Sequence, residues 1–510
     1  MDCRARNFLA VDLEDLKRRR AQGFVELRKQ SRSEQVSKRR ILLSQTSTSE
    51  SPSQHIHTLL LSHDPRLSTS SDLDQVTFLS ETIQSPPDSL LLSLAINALR
   101  HLITTGYESI LRTTVEIGLV PILIDLLSDS SDTLVYNALW CLTNISAGEH
   151  ELVEKVMEAG VLLALPALLE SESVEMVDQT VWTLCNIAGD CVKYRDAIVN
   201  LNFPEKVRKL INLSQYERLM PSIVWFFANI CRFQPPPGQE TVRMSLEVAL
   251  RCFESCPKPL ALLDACIICE KATFAGHSDI IDLVHALHLS SYLAKHTRSI
   301  DRIVAMEALK AYTNLLLGTE QQTERLLEGG VLELLETLLE TQAQEVRREV
   351  MWGLSNVAAG TLQQARRLVQ HRIFPKLVEE LSCSTFSIKR EAIIAILNLG
   401  GQHDLSITLT LVASNVLPIL LDALEIQDCN LQLTLIEGLR CIMQLCLAYQ
   451  ELEDGVKSFE ELGGLGKVER LASTENSQVY RAVENLLSEL YGHTIAHVEE
   501  ASAAPAFSFS

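Results

Sequence analysis

Aromatic residues are scarce in this chain of 510 residues, where Phe, Trp and Tyr together make up only 5%. The hydrophobic fraction of 46% is nevertheless ample for a large core, and aliphatic residues supply most of it. Long apolar runs are also missing, since no stretch of about 18 consecutive apolar residues occurs, and we expect no membrane span. The N-terminus is charged and lacks an apolar signal segment, so we do not expect secretion.

Recognisable catalytic or metal-binding groups are missing too. The histidines are dispersed, for example at His55, His101, His277 and His493. No Ser/His/Asp arrangement or phosphate-binding loop accompanies them, and the CxxC pair Cys266 and Cys269 has no second pair to complete a zinc site. The other cysteines fall on apolar stretches, as at Cys141, Cys185, Cys231 and Cys441, which predicts reduced core thiols. We therefore expect no enzyme activity, no cofactor and no metal.

Charge is distributed unevenly along the chain. Residues 1–45 contain 12 Lys/Arg and 6 Asp/Glu, whereas the remainder contains 33 Lys/Arg and 59 Asp/Glu. A basic arm of net charge +6 is thus joined to an acidic body of net charge −26. An acidic body repels phosphate and favours basic partners, so we expect no nucleic-acid ligand.

The four tryptophans fall on a regular spacing. Trp140, Trp182, Trp225 and Trp352 are 42, 43 and 127 residues apart, and the last gap is three periods of about 42. An asparagine follows each of them four residues later, at Asn144, Asn186, Asn229 and Asn356. This period predicts an all-α armadillo-repeat solenoid of about ten repeats of roughly 42 residues, with a flexible basic N-terminal arm.

Composition predicts four segments. Residues 1–45 form the basic arm, and residues 46–75 are a Ser/Thr-rich stretch that is typical of a flexible linker. Residues 76–492 have helical patterning almost throughout and form the predicted repeat domain. Residues 493–510 are rich in Ala and Ser and are expected to be disordered.

A helical wheel indicates where the tryptophans point. The apolar stripe around Trp140 contains Val135, Ala138, Leu139, Leu142 and Ile145. Trp140 and Asn144 lie roughly 160° from the centre of this stripe. The pairs are therefore predicted to line one groove, where slots between indoles accept Lys or Arg side chains and the asparagines hold an extended peptide backbone. Packing between repeats is the alternative use of the same face.

The basic arm is itself such a peptide. It contains three clusters, Lys17–Arg20, Arg28–Lys29 and Lys38–Arg40. A solvated tail and a nucleic-acid arm are the alternatives, but a groove for basic peptides would also accept Lys38, Arg39 and Arg40. The arm is therefore expected to compete with an external ligand.

Several segments resemble one known family. The arm sequence RRRAQGFVELRKQSRSEQVSKRR, the repeat VDQTVWTLCNIAGDCVKYRDAIV and the stretch FEELGGLGKVERLASTENSQVYRAVENLL are similar to the importin-α (karyopherin-α) family of nuclear import adaptors. The resemblance implies that the chain binds cargo proteins with basic nuclear localisation signals and is carried by importin-β. It also implies recycling by an export receptor with Ran-GTP, and shuttling between cytoplasm and nucleus. The alternative is an armadillo scaffold in adhesion or signalling, which does not explain the basic arm.

The resemblance also implies site residues, carried over by position. The major signal site would comprise Trp140, Asn144, Gly148, Gln179, Trp182, Asn186, Asp190, Trp225 and Asn229. The minor site would comprise Lys310, Asn314, Glu349, Trp352, Asn356, Glu391 and Asn398. The importin-β contact would comprise Lys17, Arg18, Arg19, Arg20, Leu27, Arg28 and Lys29, and the autoinhibitory segment Lys38, Arg39 and Arg40.

The sequence departs from the family pattern at a few of these positions. The threonine that helps the key lysine falls at Val153, so that contact is expected to be lost. In the minor site, the second tryptophan is Ile394, the arginine is Lys310 and the tyrosine of repeat five is Lys271. Bipartite signals are therefore expected to gain less here than in a typical member.

Overall fold

The computed structural model describes residues 71–104, 108–212, 218–340, 343–383, 385–449, 453–472 and 476–491. In these ranges the regular elements are α-helices and short 3-10 segments, and no β-strand occurs. The predicted all-α repeat architecture is therefore confirmed. Contacts divide the described residues into two compact units, a first unit of residues 71–312 and a second unit of residues 313–491.

The first unit repeats a pattern of two short helices followed by a long one. Its helices are α1 (Asp72–Gln84), α2 (Ser89–Thr104), α3 (Glu108–Glu116), α4 (Leu119–Asp125), α5 (Asp132–Ser146), α6 (His150–Glu158), α7 (Val161–Leu168), α8 (Val174–Ala188), α9 (Val192–Asn200), α10 (Phe203–Lys209), α11 (Met220–Cys231), α12 (Gln239–Ser255), α13 (Pro259–Thr273), α14 (Ser278–Ala286), α15 (Leu289–His296) and α16 (Arg302–Asn314), whose last two residues are counted with the second unit. In one place the single helix α12 stands where two short helices stand elsewhere.

The second unit follows the same pattern. Its helices are α17 (Glu320–Glu328), α18 (Val331–Leu339), α19 (Gln344–Ala358), α20 (Leu362–Gln370), α21 (Ile373–Glu380), α22 (Phe386–Gly400), α23 (Leu405–Ala413), α24 (Leu417–Ala423), α25 (Cys429–Ala448), α26 (Glu453–Glu461), α27 (Gly464–Leu471) and α28 (Ser477–Tyr491).

Tight corners between the two short helices explain the regular placement of certain residues. The residue before the second short helix has a positive φ in most repeats, at Gly118, Gly160, Asn202, His288, Gly330 and Gly463. Glycine reaches this left-handed conformation without a Cβ clash, and asparagine and histidine tolerate it better than branched residues do. A single residue in this conformation therefore lets the chain turn between the two short helices of such a repeat.

Long helices stack on one another and form the core. In the first unit α2, α5, α8, α11 and α13 pack in succession, and in the second unit α19, α22, α25 and α28 do the same. The apolar stripe predicted around Trp140 is confirmed, because Val135, Ala138, Leu139, Leu142 and Ile145 are all buried. Within each of these two series, every long helix therefore packs on the next one.

The predicted segment boundaries differ slightly from the structure. Helix α1 begins at Asp72, inside the stretch that composition assigns to the linker, and the Ser71 side chain caps it by accepting from the backbone N–H of Asp74. The arm and the tail lie outside the described residues. The same holds for the arm residues predicted to bind a partner, which are Lys17, Arg18, Arg19, Arg20, Leu27, Arg28, Lys29, Lys38, Arg39 and Arg40.

One helix is long and apolar enough to cross a bilayer by length and composition. It is the segment Leu431–Ala448 of α25, and α23 with α24 passes the same test only as a pair bent by 82°. Leu435, Ile436 and Leu439 of α25 are fully buried against neighbouring helices of the second unit. Its apolar character is thus accounted for by the core.

Candidate peptide-binding surface

Three of the four tryptophans lie on consecutive long helices of the first unit. Trp140, Trp182 and Trp225 are on α5, α8 and α11, which pack in that order. Trp140 and Trp182 are half-buried, whereas Trp225 is 7% exposed. The repeat spacing therefore places these three residues, called the tryptophan row below, on consecutive packed helices. Their role in a ligand groove stays a prediction, and Trp225 is largely covered.

Two asparagines of the row bond the neighbouring repeat. Asn186 Nδ2 donates to the backbone carbonyl of Thr143 at 2.9 Å, and Asn229 Nδ2 donates to that of Cys185 at 2.9 Å. Each asparagine therefore bonds the preceding long helix, a contact that a helical wheel does not show. Because an amide nitrogen carries two hydrogens, the role of these asparagines towards a ligand backbone stays a prediction.

Trp182 and Trp225 lie in direct contact, whereas the sequence predicted an open slot between successive indoles. The ring centroids of Trp182 and Trp225 are 4.9 Å apart, and the rings meet edge to face at 65°. Trp182 Nε1 donates to Ser222 Oγ at 3.0 Å, and that hydroxyl donates to Asp178. Burial raises the pKa of Asp178, while the hydrogen bond from Ser222 acts in the opposite direction. These contacts hold the Trp182 ring in a fixed orientation.

The face of Trp140 already contacts a cation. The Arg100 guanidinium carbon lies 5.2 Å from the centre of the indole, and Tyr136 meets the same indole edge to face at 5.7 Å. Burial lowers the pKa of Arg100. This contact has the geometry of a cation–π interaction, so the row is chemically suited to basic side chains.

Two further predicted positions have structural roles in the same row. Gln179 is buried, and its Nε2 donates to Thr143 Oγ1 at 2.7 Å. At Gly148 a Cβ would lie 2.8 Å from Leu152 Cδ1 and 3.1 Å from the Ile145 carbonyl oxygen, so a larger residue would force Leu152 to move. Asn144 is buried at 8% exposure.

Asp190 lies in the connection after α8, the helix of Trp182, and contacts a residue that was not predicted from the sequence. Its carboxylate is 3% exposed, and Oδ2 lies 2.5 Å from Nδ1 of His150. Val153, where the family threonine falls, is fully buried and contributes to the core instead. His150 lies 40 residues before Asp190, close to one repeat period, so the spacing could have predicted this contact.

The second unit contains most of the predicted minor-site residues. Glu349 is 3% exposed, and its Oε1 accepts from the Thr313 hydroxyl at 2.6 Å. Trp352 and Asn356 are half-buried on α19, and Asn398 on α22 donates to the Ser355 carbonyl at 3.0 Å. Glu391 Oε1 lies 3.2 Å from Arg390, and Asn314 is fully buried. As in the first unit, an asparagine here bonds the preceding long helix.

Two lysines of the first unit stand where the family pattern has other residues. Lys271 stands in place of a tyrosine, and Lys310 stands in place of an arginine. Lys271 Nζ lies 2.5 Å from Glu270 Oε2, and Glu270 is 1% exposed. Lys310 is 7% exposed and donates to Glu307 Oε1 at 2.6 Å. Both ammonium groups are therefore paired with a glutamate of their own helix.

Comparison with known proteins supports the interpretation of the N-terminal part of the chain. A family model described as "Importin beta binding domain" matches residues 6–88. A second model, "Armadillo/beta-catenin-like repeat", matches residues 114–147 and 150–189, which contain α5 and α8. The predicted armadillo architecture is thus confirmed.

Among similar proteins is "Importin subunit alpha-3" from Arabidopsis thaliana, which is 28% identical over 352 residues and 68% of this chain. The match spans 64% of that relative's own length. "Importin subunit alpha-1b" from Oryza sativa subsp. japonica is 28% identical over 441 residues, covering 85% of this chain and 81% of the relative. A crystal structure of an engineered protein matches with a TM-score of 0.71 at 21% identity, over 82% of this chain and 99% of the other, which shows the fold alone.

Proposed function

This chain belongs to the importin-α family, and on that premise we propose that it is a nuclear import adaptor. In this proposal the first unit binds an extended basic localisation signal of a cargo protein, and the N-terminal arm binds importin-β. The adaptor shuttles between cytoplasm and nucleus, and an export receptor with Ran-GTP returns it after cargo release.

One structural observation supports the adaptor proposal most strongly. Trp140, Trp182 and Trp225 lie on successive packed helices, and the almost buried carboxylate of Asp190 follows the helix of Trp182. A carboxylate that is 3% exposed pairs more strongly with an ammonium than a solvated one does, because less water screens the attraction. Such a site selects a lysine at one position of the ligand and basic side chains beside it.

The indoles supply the remaining affinity. Each Lys or Arg stem that packs on an indole face, with its charge over the ring, is worth roughly 0.5–2 kcal/mol. The ligand side chains must compete with the contacts that exist in the unbound protein, which are Arg100 on Trp140 and His150 on Asp190. Binding therefore exchanges these internal partners of Trp140 and Asp190 for basic side chains of the ligand.

The arm provides the regulation in this proposal. Lys38, Arg39 and Arg40 would compete for the row at an effective concentration on the order of millimolar. If the isolated arm segment bound with a Kd of about 0.1 mM, it would raise the apparent Kd of cargo about tenfold. Capture of the arm by importin-β through residues such as Arg18, Arg28 and Lys29 would remove this competition and couple cargo loading to transport.

A preference for monopartite signals follows from the lysines. Lys271 brings positive charge to a position where the family has a tyrosine, Lys310 replaces the planar guanidinium of an arginine, and Ile394 lacks the π face of a tryptophan. A second basic cluster of a bipartite signal would find a weaker site there. The major site is therefore expected to carry most of the affinity.

The proposal is tested by the binding of a labelled monopartite signal peptide. We expect deletion of residues 1–45 to tighten peptide binding about tenfold and to abolish capture of importin-β from solution. The full-length variant with Lys38, Arg39 and Arg40 all changed to alanine should also bind the peptide more tightly.

A matched variant controls for charge. Changing Lys17, Arg18 and Arg19 to alanine removes the same number of positive charges from the arm, and should weaken importin-β binding while changing peptide affinity much less. An armadillo scaffold in adhesion or signalling, the alternative, predicts no peptide binding in either form. Absence of both peptide and importin-β binding would contradict the adaptor role.

A further inference from the structure

Three side chains of metal-binding type converge at the connection that follows α8, the helix of Trp182. They are His150, Asp190 and Cys191, and one ligand atom from each lies within 4.8 Å of the other two. His150 is the first residue of α6, while Asp190 and Cys191 lie in the connection between α8 and α9. The stacking of successive repeats therefore brings together residues that are 40 positions apart in sequence.

We propose that His150, Asp190 and Cys191 bind a Zn²⁺ ion. An imidazole nitrogen, a thiolate and a carboxylate oxygen are all ligands that zinc accepts in tetrahedral sites. Bond lengths of about 2.0–2.3 Å put ligand atoms roughly 3.3–3.6 Å apart in such a site. Small side-chain rotations reach this geometry, because the three atoms lie within 4.8 Å of one another and Nδ1 and Oδ2, now 2.5 Å apart, need only separate slightly. The mixed nitrogen, sulfur and oxygen set disfavours Mg²⁺ and Ca²⁺, which prefer oxygen ligands.

The surroundings hold two of the three ligands near the required position. The Asp190 carboxylate is 3% exposed, and its Oδ2 is already 2.5 Å from His150 Nδ1. The Tyr194 ring stacks on the imidazole at 5.8 Å with an interplanar angle of 20°, which restrains the orientation of the ring. Because the His150 side chain is 57% exposed, the fourth coordination position faces solvent and can hold water.

Binding of the ion changes protonation in a defined way. The ion takes the place of the hydrogen bond between Nδ1 and Oδ2, and Cys191 coordinates as a thiolate after its thiol proton is released to solvent. One thiolate and one carboxylate neutralise the two charges of the ion, and neutral imidazole completes the set. No change of oxidation state is involved.

This inference rests on the proposed function for its consequence, because Asp190 is also the carboxylate expected to pair with the key lysine of the cargo signal. Once it coordinates zinc, the carboxylate no longer presents a net negative charge to an ammonium group. Zinc and the localisation signal should therefore exclude each other, so that the ion acts as a competitive inhibitor of cargo binding.

Cobalt provides a spectroscopic test of the site that is independent of cargo. We expect the reduced, metal-free full-length protein to bind one equivalent of Co²⁺ with a thiolate-to-cobalt absorption band and visible bands of tetrahedral Co²⁺, and Zn²⁺ to abolish these bands. Cys191→Ser should remove the thiolate band, and His150→Gln should weaken metal binding by at least about 10- to 100-fold. Cys429→Ser, a change at an exposed cysteine outside the cluster, should leave the spectrum unchanged.

The consequence is tested with the monopartite peptide on the arm-deleted protein. Zn²⁺ should weaken peptide binding to the wild-type sequence at least tenfold, and Mg²⁺ at the same concentration should not. The Cys191→Ser variant should bind the peptide equally well with and without Zn²⁺, and its circular dichroism should match that of the wild type.

Absence of the thiolate band, or its persistence in Cys191→Ser, would overturn the zinc site. Equal inhibition by Zn²⁺ in the wild type and in Cys191→Ser would overturn its link to cargo. Failure of the adaptor role is distinguishable, because in that case the peptide does not bind even without metal while the cobalt spectrum is unaffected.

Discussion

Two asparagines at equivalent positions of the second unit should respond to the same substitution with opposite sign. Asn398 Nδ2 donates to the Ser355 carbonyl at 3.0 Å, whereas Asn356 Nδ2 is buried and makes no hydrogen bond to any residue that the structure describes. They lie four residues after Ile394 and Trp352 on the adjacent helices α22 and α19. We expect Asn398→Ala to destabilise the unit and Asn356→Ala to be neutral or stabilising.

The expected change in free energy of unfolding depends on which hydrogen-bonding groups each substitution leaves without a partner. Alanine improves helix propensity by up to about 0.7 kcal/mol at both positions, and this gain cancels in the comparison. At Asn398 the change removes one hydrogen bond, but the Ser355 carbonyl keeps its helical bond from the Ala359 N–H at 3.1 Å. The loss should therefore be about 0.5–1.5 kcal/mol rather than the larger cost of an orphaned buried group.

At Asn356 the change removes a buried donor that lacks a partner. Burying such a group costs about 1–3 kcal/mol, so its removal recovers part of that cost. The two variants should consequently differ in free energy of unfolding by about 1–2 kcal/mol, with Asn398→Ala the less stable.

Native-state hydrogen exchange measures this difference locally, which suits a repeat protein whose units need not unfold together. A loss of about 1 kcal/mol should speed exchange of the α22 amides about fivefold in Asn398→Ala, while Asn356→Ala should leave the α19 amides unchanged or slower. Urea midpoints should shift in the same directions. Equal destabilisation by both variants, or a larger loss for Asn356→Ala, would refute a structural role for the asparagine hydrogen bonds.

Three further predictions concern carboxylates. Asp190→Asn should weaken a monopartite signal peptide at least about tenfold, since hydrogen bonds to charged groups contribute about 1.5–3 kcal/mol, and Asp125→Asn at an exposed position should not change anisotropy titrations. Glu391→Gln should leave bipartite peptide affinity nearly unchanged, and a large loss confined to bipartite peptides would contradict the weak second site. The hydrogen bond from Arg366 lowers the pKa of Asp404 below its ordinary 3.8, so its contribution to stability is present above pH 3.8 and is lost as the pH falls through the lowered pKa. Acid unfolding should therefore begin at higher pH in Arg366→Gln than in the wild type, and superimposable acid-unfolding curves would count against this assignment.

Much of the fold was predictable because its information is local. The 42-residue period, the helical patterning and the apolar stripe around Trp140 are properties of single repeats, and each is found in the structure. The unequal charge of arm and body is likewise a property of composition. These features need no knowledge of which repeat lies beside which.

Contacts between neighbouring repeats were not predictable in the same way. The wheel around Trp140 correctly separates the core stripe from the opposite face, but it cannot show that the next long helix covers part of that face. For this reason the bonds that Asn186 and Asn229 donate to backbone carbonyls of the preceding helix were not predicted from the sequence.

The same distinction between local and inter-repeat information applies to Asp190. Asp190 was identified as a binding carboxylate from the sequence, through the resemblance of its repeat to a known family. Its proximity to His150 and Cys191 became apparent only when the connections after α5 and α8 were placed side by side. The sequence by itself therefore determined the repeats, their cores and the residue types along one row. The tertiary structure decided which of their polar atoms bond a neighbouring helix and which meet one another, because those contacts depend on how successive repeats stack.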